Sequence, residues 1–243
     1  VYSLSVTVGI GHLNEPKLGL AAVCEKVLAK QLNDAVAIQG GTITSYLTGS
    51  SAQEFDALLQ KVSSVLMNPD LRQSLIDDAA EDVARHTRDL APLPERQWKL
   101  RYKHIAFGSS DLVWDAEAYI ASVKSLKTED LEAVVDTYYT SANIVIGVAC
   151  DLPLRTLREL MEKYFGQLPK GKKQQFEKLE YTGGYAQLPV VGGYKTIAIG
   201  WDVSDLSGVA EANVMMSMLS GRLERDLANT GAVREVKIAG YYG

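Results

Sequence analysis

An alternating run that passes through a turn into an amphipathic helix does most to limit what this chain can become. Val1 to Val8 puts Leu4, Val6 and Val8 on one side, the two-residue period of a strand with one buried face. Gly9, Gly11, Asn14 and Pro16 supply turn chemistry. Gly19 to Leu32 then reads as a helix, because Leu20, Val23, Val27 and Leu28 fall at i, i+3, i+7 and i+8. A strand with one apolar face and a helix with one apolar stripe bury each other. The expected class is therefore α+β, with strands and helices in separate layers.

The rest of the chain repeats these elements. Asn33 to Gly41 reads as a break, with a tight turn at Gly40-Gly41, and Thr42 to Thr48 as a strand. Helices are expected over Ala52–Met67, stopped by Asn68-Pro69, over the polar stretch Asp70–Leu90, and over Glu95–Phe107. The last of these carries Trp98, Tyr102 and Ile105 on one side. A short helix over Ala116–Val123 follows, then one starting at Leu126-Lys-Thr-Glu-Asp-Leu131, where Thr128 is the expected cap. Asn143–Cys150 is a buried strand and Pro153–Tyr164 a helix.

Composition excludes several function classes. With 243 residues and 47% of them hydrophobic, the chain can bury a sizeable core in one or two domains. A net charge of −5 gives no overall basic surface for nucleic acid. No apolar run reaches the roughly 20 residues that span a bilayer, so membrane insertion is not expected. Cys24 and Cys150 are too few for a disulfide framework and read as small buried thiols. Of the three histidines, none shares a helix with another at i, i+4; His12 reads as a loop residue and His104 as a helix residue.

The string Gly11-His-Leu-Asn-Glu-Pro16, followed by Gly19-Leu20-Ala21, resembles the lead-in to the active-site helix of the M16 metallopeptidases. That family includes pitrilysin, insulin-degrading enzyme, the mitochondrial processing peptidase and the core proteins of respiratory complex III. Its active members carry His-x-x-Glu-His on this helix: two histidines hold zinc, and the glutamate activates the bound water. The resemblance places Ala22 at the first histidine, Glu25 at the general base and Lys26 at the second histidine. Counting past Asn68-Pro69, it places His86 at or near the third ligand, a glutamate in active relatives. Alanine has no lone pair to give, and lysine brings positive charge to a cation site. Zinc is therefore expected to be absent, with no catalytic residue, and Glu25 is expected in an ion pair near Lys26, His86 or Arg85.

The block from Thr128-Glu-Asp-Leu131 through Tyr138-Tyr139, Asn143, a strand, a helix and Phe165-Gly-Gln-Leu-Pro169 closely resembles the end of an M16 domain. After it the pattern restarts. Thr196–Trp201 alternates like Val6–Gly11, and Gly208–Leu219 echoes Gly19–Leu28, a weak internal repeat. Ser220–Leu227 followed by Gly231 resembles a segment of the family's second domain. The expected organisation is a first domain over 1–170, a linker over 171–186 and the start of a second domain over 187–243. Each domain would be a mostly antiparallel sheet layered with helices.

The resemblance implies a non-catalytic homologue, the inactive half or subunit of a two-part zinc peptidase, giving chamber wall and peptide contacts. Its partner would be a catalytic M16 subunit or a second copy, and its ligand a peptide. The alternatives are an active zinc endopeptidase with displaced ligands, and a structural subunit like the complex III core proteins. The sequence starts inside a strand pattern and stops before a second domain could close, so a longer polypeptide is expected. Its compartment stays open between bacterial cytoplasm or periplasm and the mitochondrial matrix.

Overall fold

The computed structural model describes residues 1–32, 35–107, 115–174, 181–184 and 209–228, with backbone alone at 94, 95, 98, 99, 101, 104, 209, 210, 212 and 228. These residues fall into two compact units, 1–104 with 115–174, and 105–107 with 181–184 and 209–228. The first unit holds an antiparallel sheet of β1 (Tyr2–Val8), β2 (Val36–Gln39), β3 (Thr44–Ser50) and β4 (Ile144–Ala149), in the order β2-β3-β1-β4. Its helices are α1 (Leu20–Gln31), α2 (Phe55–Met67, after a 3-10 turn at Ala52–Glu54), α3 (Gln73–Leu90), α4 (Pro94–Phe107, of which 105–107 count with the second unit), α5 (Ala116–Lys124), α6 (Thr128–Tyr138) and α7 (Leu154–Phe165). The α+β class expected from the sequence is the one observed.

Register explains why one face of the sheet is covered. Leu4 stands opposite Thr48 and Val148, Val6 opposite Tyr46 and Ile146, and Val8 opposite Thr44 and Ile144. That face packs on α1 through Leu20, Val23, Cys24, Val27 and Leu28, and on α2 through Phe55, Leu58, Leu59, Val62 and Leu66, all buried. Tyr2 meets Phe55 edge-on at 5.0 Å. Side chains alternate along a strand, so the opposite face carries Ser3, Ser5, Thr7, Val36, Ile38, Ser45, Leu47, Gly49, Val145, Gly147 and Ala149. None of these is charged, and Val36, Ile38, Leu47 and Val145 are exposed, from 43% at Leu47 to 70% at Val145.

Under α1 the core contains a small polar chain. The Tyr46 and Tyr139 hydroxyls lie 2.7 Å apart, and the Cys24 thiol donates to Tyr139 at 3.7 Å. All three residues are buried, which is where two phenols need each other as partners. Burial pushes the Cys24 thiol up to about 12, so it is an inert core group.

Two expectations are corrected. The stretch read as a break contains β2, an edge strand that pairs Val36 with Leu47 and Gln39 with Thr44. The cap of α6 is Lys127, not Thr128: the Lys127 N–H donates to the Asp130 carboxylate at 2.9 Å, and the Thr128 hydroxyl donates to the Leu71 carbonyl at 3.1 Å. The Gly40-Gly41 turn is present, closed by Gly40 N–H to the Ile43 carbonyl at 2.7 Å.

In the second unit, the Thr182 and Gly183 N–H groups donate to the Ala106 carbonyl at 2.8 and 3.2 Å, and Phe107 meets Tyr181 edge-on. The helix α8 (Val209–Ala228) covers the echoed Gly208–Leu219 stretch from its second residue. The expected strand at Thr196–Trp201 lies outside the described residues, as does Gly231. No helix among the described residues is long and apolar enough to cross a membrane.

Tyr139→Phe removes the partner of Tyr46 and the acceptor of the Cys24 thiol. It is expected to cost about 1–3 kcal/mol in urea denaturation. The Tyr46→Phe/Tyr139→Phe double variant should recover part of that loss, since only the thiol is then left unpaired. A single variant as stable as the parent would show that the pair carries no weight.

Candidate functional site

The helix phase of α1 decides which of its residues can face a ligand. Leu20, Ala21, Val23, Cys24, Val27 and Leu28 are buried. With 3.6 residues per turn, Ala22, Glu25 and Lys26 then fall together on the other side. Ala22 and Glu25 are half-buried and Lys26 is exposed. His86 is an exposed residue of α3, which packs on α1.

The structure thus brings three sequence-selected positions onto one surface of α1 and the fourth onto a neighbouring helix. It does not join them. Among the described residues, no hydrogen bond or ion pair links Glu25 to Lys26, His86 or Arg85; Arg85 turns instead to Asp82 on its own helix. Partial burial raises the Glu25 carboxyl above its usual range, opposed by the nearby Lys26 charge. Glu81 is exposed and bridges Lys124 at 2.6 Å and Arg88 at 3.3 Å.

Zinc needs three or four close donors, with lone pairs aimed at one point. A methyl group at 22, an exposed lysine at 26 and an exposed imidazole at 86 leave Glu25 as the one half-buried donor of the set. These residues do not fit zinc. No three His, Cys, Asp or Glu side chains gather as a metal site would need among the described residues.

The loop before α1 holds a group that sequence reasoning missed. Glu15 caps the helix with both carboxylate oxygens, accepting from Gly19 N–H at 2.8 Å and Ala21 N–H at 2.7 Å. A helix leaves its first N–H groups without internal partners, and a carboxylate there also suits the dipole. Gly19 permits the geometry by adopting φ +83°, a conformation a side chain would strain. A Cβ at that position would also run into Val123, with Tyr119 beside it. Burial pushes the Glu15 carboxyl up to about 7, against the pull of its two N–H donors. The signal in the sequence was a glutamate four residues ahead of a helix-starting glycine.

The same loop is pinned on several sides. Asn14 accepts from Gly11 N–H at 2.6 Å, and its own carbonyl accepts from the Tyr138 hydroxyl at 3.1 Å. Lys17 pairs with Asp130 at 2.9 Å, and Ser122 donates to the Leu18 carbonyl at 2.7 Å. His12 sits where the sequence expects, in the loop, with Nδ1 2.9 Å from the Gly40 carbonyl. The His104 side chain lies outside the described residues.

Comparison with known proteins agrees with this architecture. Residues 125–235 match the family described as Peptidase M16 inactive domain. The beta subunit of the mitochondrial-processing peptidase from Caenorhabditis elegans is 21% identical over 181 residues, covering 71% of this chain and 39% of that protein. A protease from Helicobacter pylori superposes with a TM-score of 0.63 at 17% identity, over 74% of this chain and 48% of its own. An M16 inactive domain from Pseudomonas fluorescens gives 0.61 at 15% identity, over 74% and 48%. A chain of complex III from Candida albicans gives 0.62 at 15% identity, over 75% and 45%. At these identities the solved structures show a shared fold, and this chain spans under half the length of each protein compared.

Two variants test the α1 lead-in. Gly19→Ala should lower stability by at least about 1 kcal/mol, from left-handed strain alone, with the Val123 overlap adding to it. For Glu15, the folded pKa lies above the unfolded one. Its contribution to stability is therefore whole below about pH 4.5 and is lost as pH rises through about 7. Glu15→Gln does not titrate, so the stability of the parent relative to this variant should fall with rising pH, by on the order of 3 kcal/mol. A pH-independent difference would contradict the assignment.

Proposed function

We propose that this chain, a homologue of the M16 peptidases, is a non-catalytic unit of a two-part zinc peptidase, supplying chamber wall and peptide contacts in place of chemistry. One observation carries the proposal: the accessible side of α1 presents Ala22, Glu25 and Lys26, where the family's zinc-binding helix would present two histidines and a base. Without a metal to acidify water or polarise the amide, Glu25 alone does not generate hydroxide at neutral pH. The intact scaffold around it supports a retained structural role. Glu15 holds the helix start, the αL glycine is kept, and the loop is pinned to α5 and α6. The uncharged open face of the sheet, with Val36, Ile38, Leu47 and Val145 exposed, suits contact with polypeptide.

The partner that completes such a unit is a chain with an intact His-x-x-Glu-His helix. The test is reconstitution. Purified alone, this chain should not cleave a quenched fluorescent peptide library. Mixed with a catalytic M16 chain that co-purifies with it from its own source, it should raise cleavage above that of the partner alone. Cleavage by this chain alone that is abolished by chelators and by Glu25→Gln would refute the proposal. Co-purification with cytochromes and no peptidase would move the role to a scaffold.

A further inference from the structure

Packing fixes the phase of α7 and decides which of its side chains are left over. Tyr164 and Phe165 are buried, and Leu157, Leu160 and Met161 pack against the core from its edge. The Tyr164 hydroxyl donates to the Asp56 carboxylate of α2 at 2.6 Å, and Lys163 reaches the same carboxylate at 3.5 Å. Outward lies an open groove lined by Leu154, Leu157, Arg158, Met161, Glu162 and Phe165. Leu154, at its start, is 62% exposed. Positions 154, 158, 161 and 165 recur at i, i+4, i+7 and i+11, the spacing of a helix–helix seam. The helix carries five charged side chains. Arg155 pairs with Glu159 at 3.1 Å, and Lys163 pairs with Asp56. Arg158 and Glu162 are both exposed and stand one turn apart. Their side chains make no hydrogen bond or ion pair with any described residue.

An apolar strip is thus flanked by one cation and one anion that lack partners. We propose that this face of α7 pairs with the same face of a second copy of the chain, antiparallel, about a two-fold axis near Leu160. Such an axis sets Arg158 of each copy against Glu162 of the other, two residues to either side of it. It lays Leu154 across from Phe165 and Gly166, and brings the two Met161 side chains together near the centre. At 3.6 residues per turn, Arg158 and Glu162 fall on the same flank of the strip, and a two-fold keeps like flanks together. Both ion pairs therefore form on one side of the seam. This symmetric spacing names the occupant. A copy satisfies both charges at once, whereas a surface of one sign matches one charge and repels the other. The helix has twelve residues and is about 18 Å long, so the contact belongs to the small, transient class and the dimer is reversible. Self-pairing goes beyond the peptidase role given above and does not rest on it.

The test is analytical sedimentation of the whole chain over a concentration series, with fluorescently labelled copies for mixtures. The parent should show a reversible monomer–dimer equilibrium. Arg158→Glu and Glu162→Arg should each weaken it about tenfold at low salt, because the two-fold applies every change twice. Mixed, the two variants should pair with each other about as tightly as the parent pairs with itself, since each supplies the charge the other lacks. The Arg158→Glu/Glu162→Arg double variant should self-associate for the same reason. High salt should narrow the difference between the parent and the single variants. Leu154→Asp should weaken the dimer through the apolar strip, whereas Lys30→Glu, the same change of charge on α1, should leave it unmoved. Should a reversal fail to fold, Arg158→Gln and Glu162→Gln carry the test, each expected to weaken the dimer. A parent that stays monomeric up to roughly 1 mM overturns the inference. So does a dimer indifferent to both reversals, or a pair of weakened variants that fails to recover on mixing. None of these outcomes touches the peptidase reading. A monomeric parent whose binding to its catalytic partner falls on Arg158→Glu would give the face to that partner and overturn self-pairing too.

Discussion

The packing of α1 onto the covered face of the sheet fixes everything that follows. Leu4, Val6, Val8 and Tyr46 present one apolar surface, and Leu20, Val23, Cys24, Val27 and Leu28 fill it. These side chains are essentially removed from water, and each contributes on the order of 1.5–3 kcal/mol relative to exposure. The helix therefore has no freedom to rotate about its axis. Its phase is set by what it buries, and that phase selects Ala22, Glu25 and Lys26 as the residues left on the other side. A site on this helix is whatever those residues can make of it.

What they make is a surface without the set of close donors that zinc needs. The parts that hold the helix in place are elaborate: a bidentate carboxylate cap, a left-handed glycine wedged against α5, and an ion pair to α6. The parts that would bind metal are a methyl, an ammonium and an exposed imidazole. Positioning and chemistry separate cleanly here, because the cap and core act on backbone and apolar surface and are indifferent to the identity of residues 22 and 26. A fold of this kind keeps its geometry whatever residues stand at 22 and 26.

Much of this was legible in the residues. The period-2 run at Val1–Val8 and the 3.6-period stripe of α1 named their own buried faces, since burial is what those patterns record. The edge strand β2 was not legible: four residues between Asn33-Asp34 and Gly40-Gly41 look like loop, and pairing with β3 decides their conformation. Thr128 looked like a cap because local chemistry favours it, yet its hydroxyl is drawn to Leu71, a contact no local pattern can report. The Glu15 cap reaches forward across a left-handed glycine, outside the usual N-cap spacing. Among the described residues Glu25 makes no ion pair with Lys26, His86 or Arg85, and Arg85 pairs with Asp82 on its own helix.

Metal loading decides whether the outward side of α1 can grip a divalent cation. Purified chain would be loaded with zinc, desalted, and its metal content measured beside that of Glu25→Gln. Only trace zinc is predicted, identical in both proteins. One zinc per chain in the parent, lost on changing Glu25, would show a working coordination sphere and contradict the central claim.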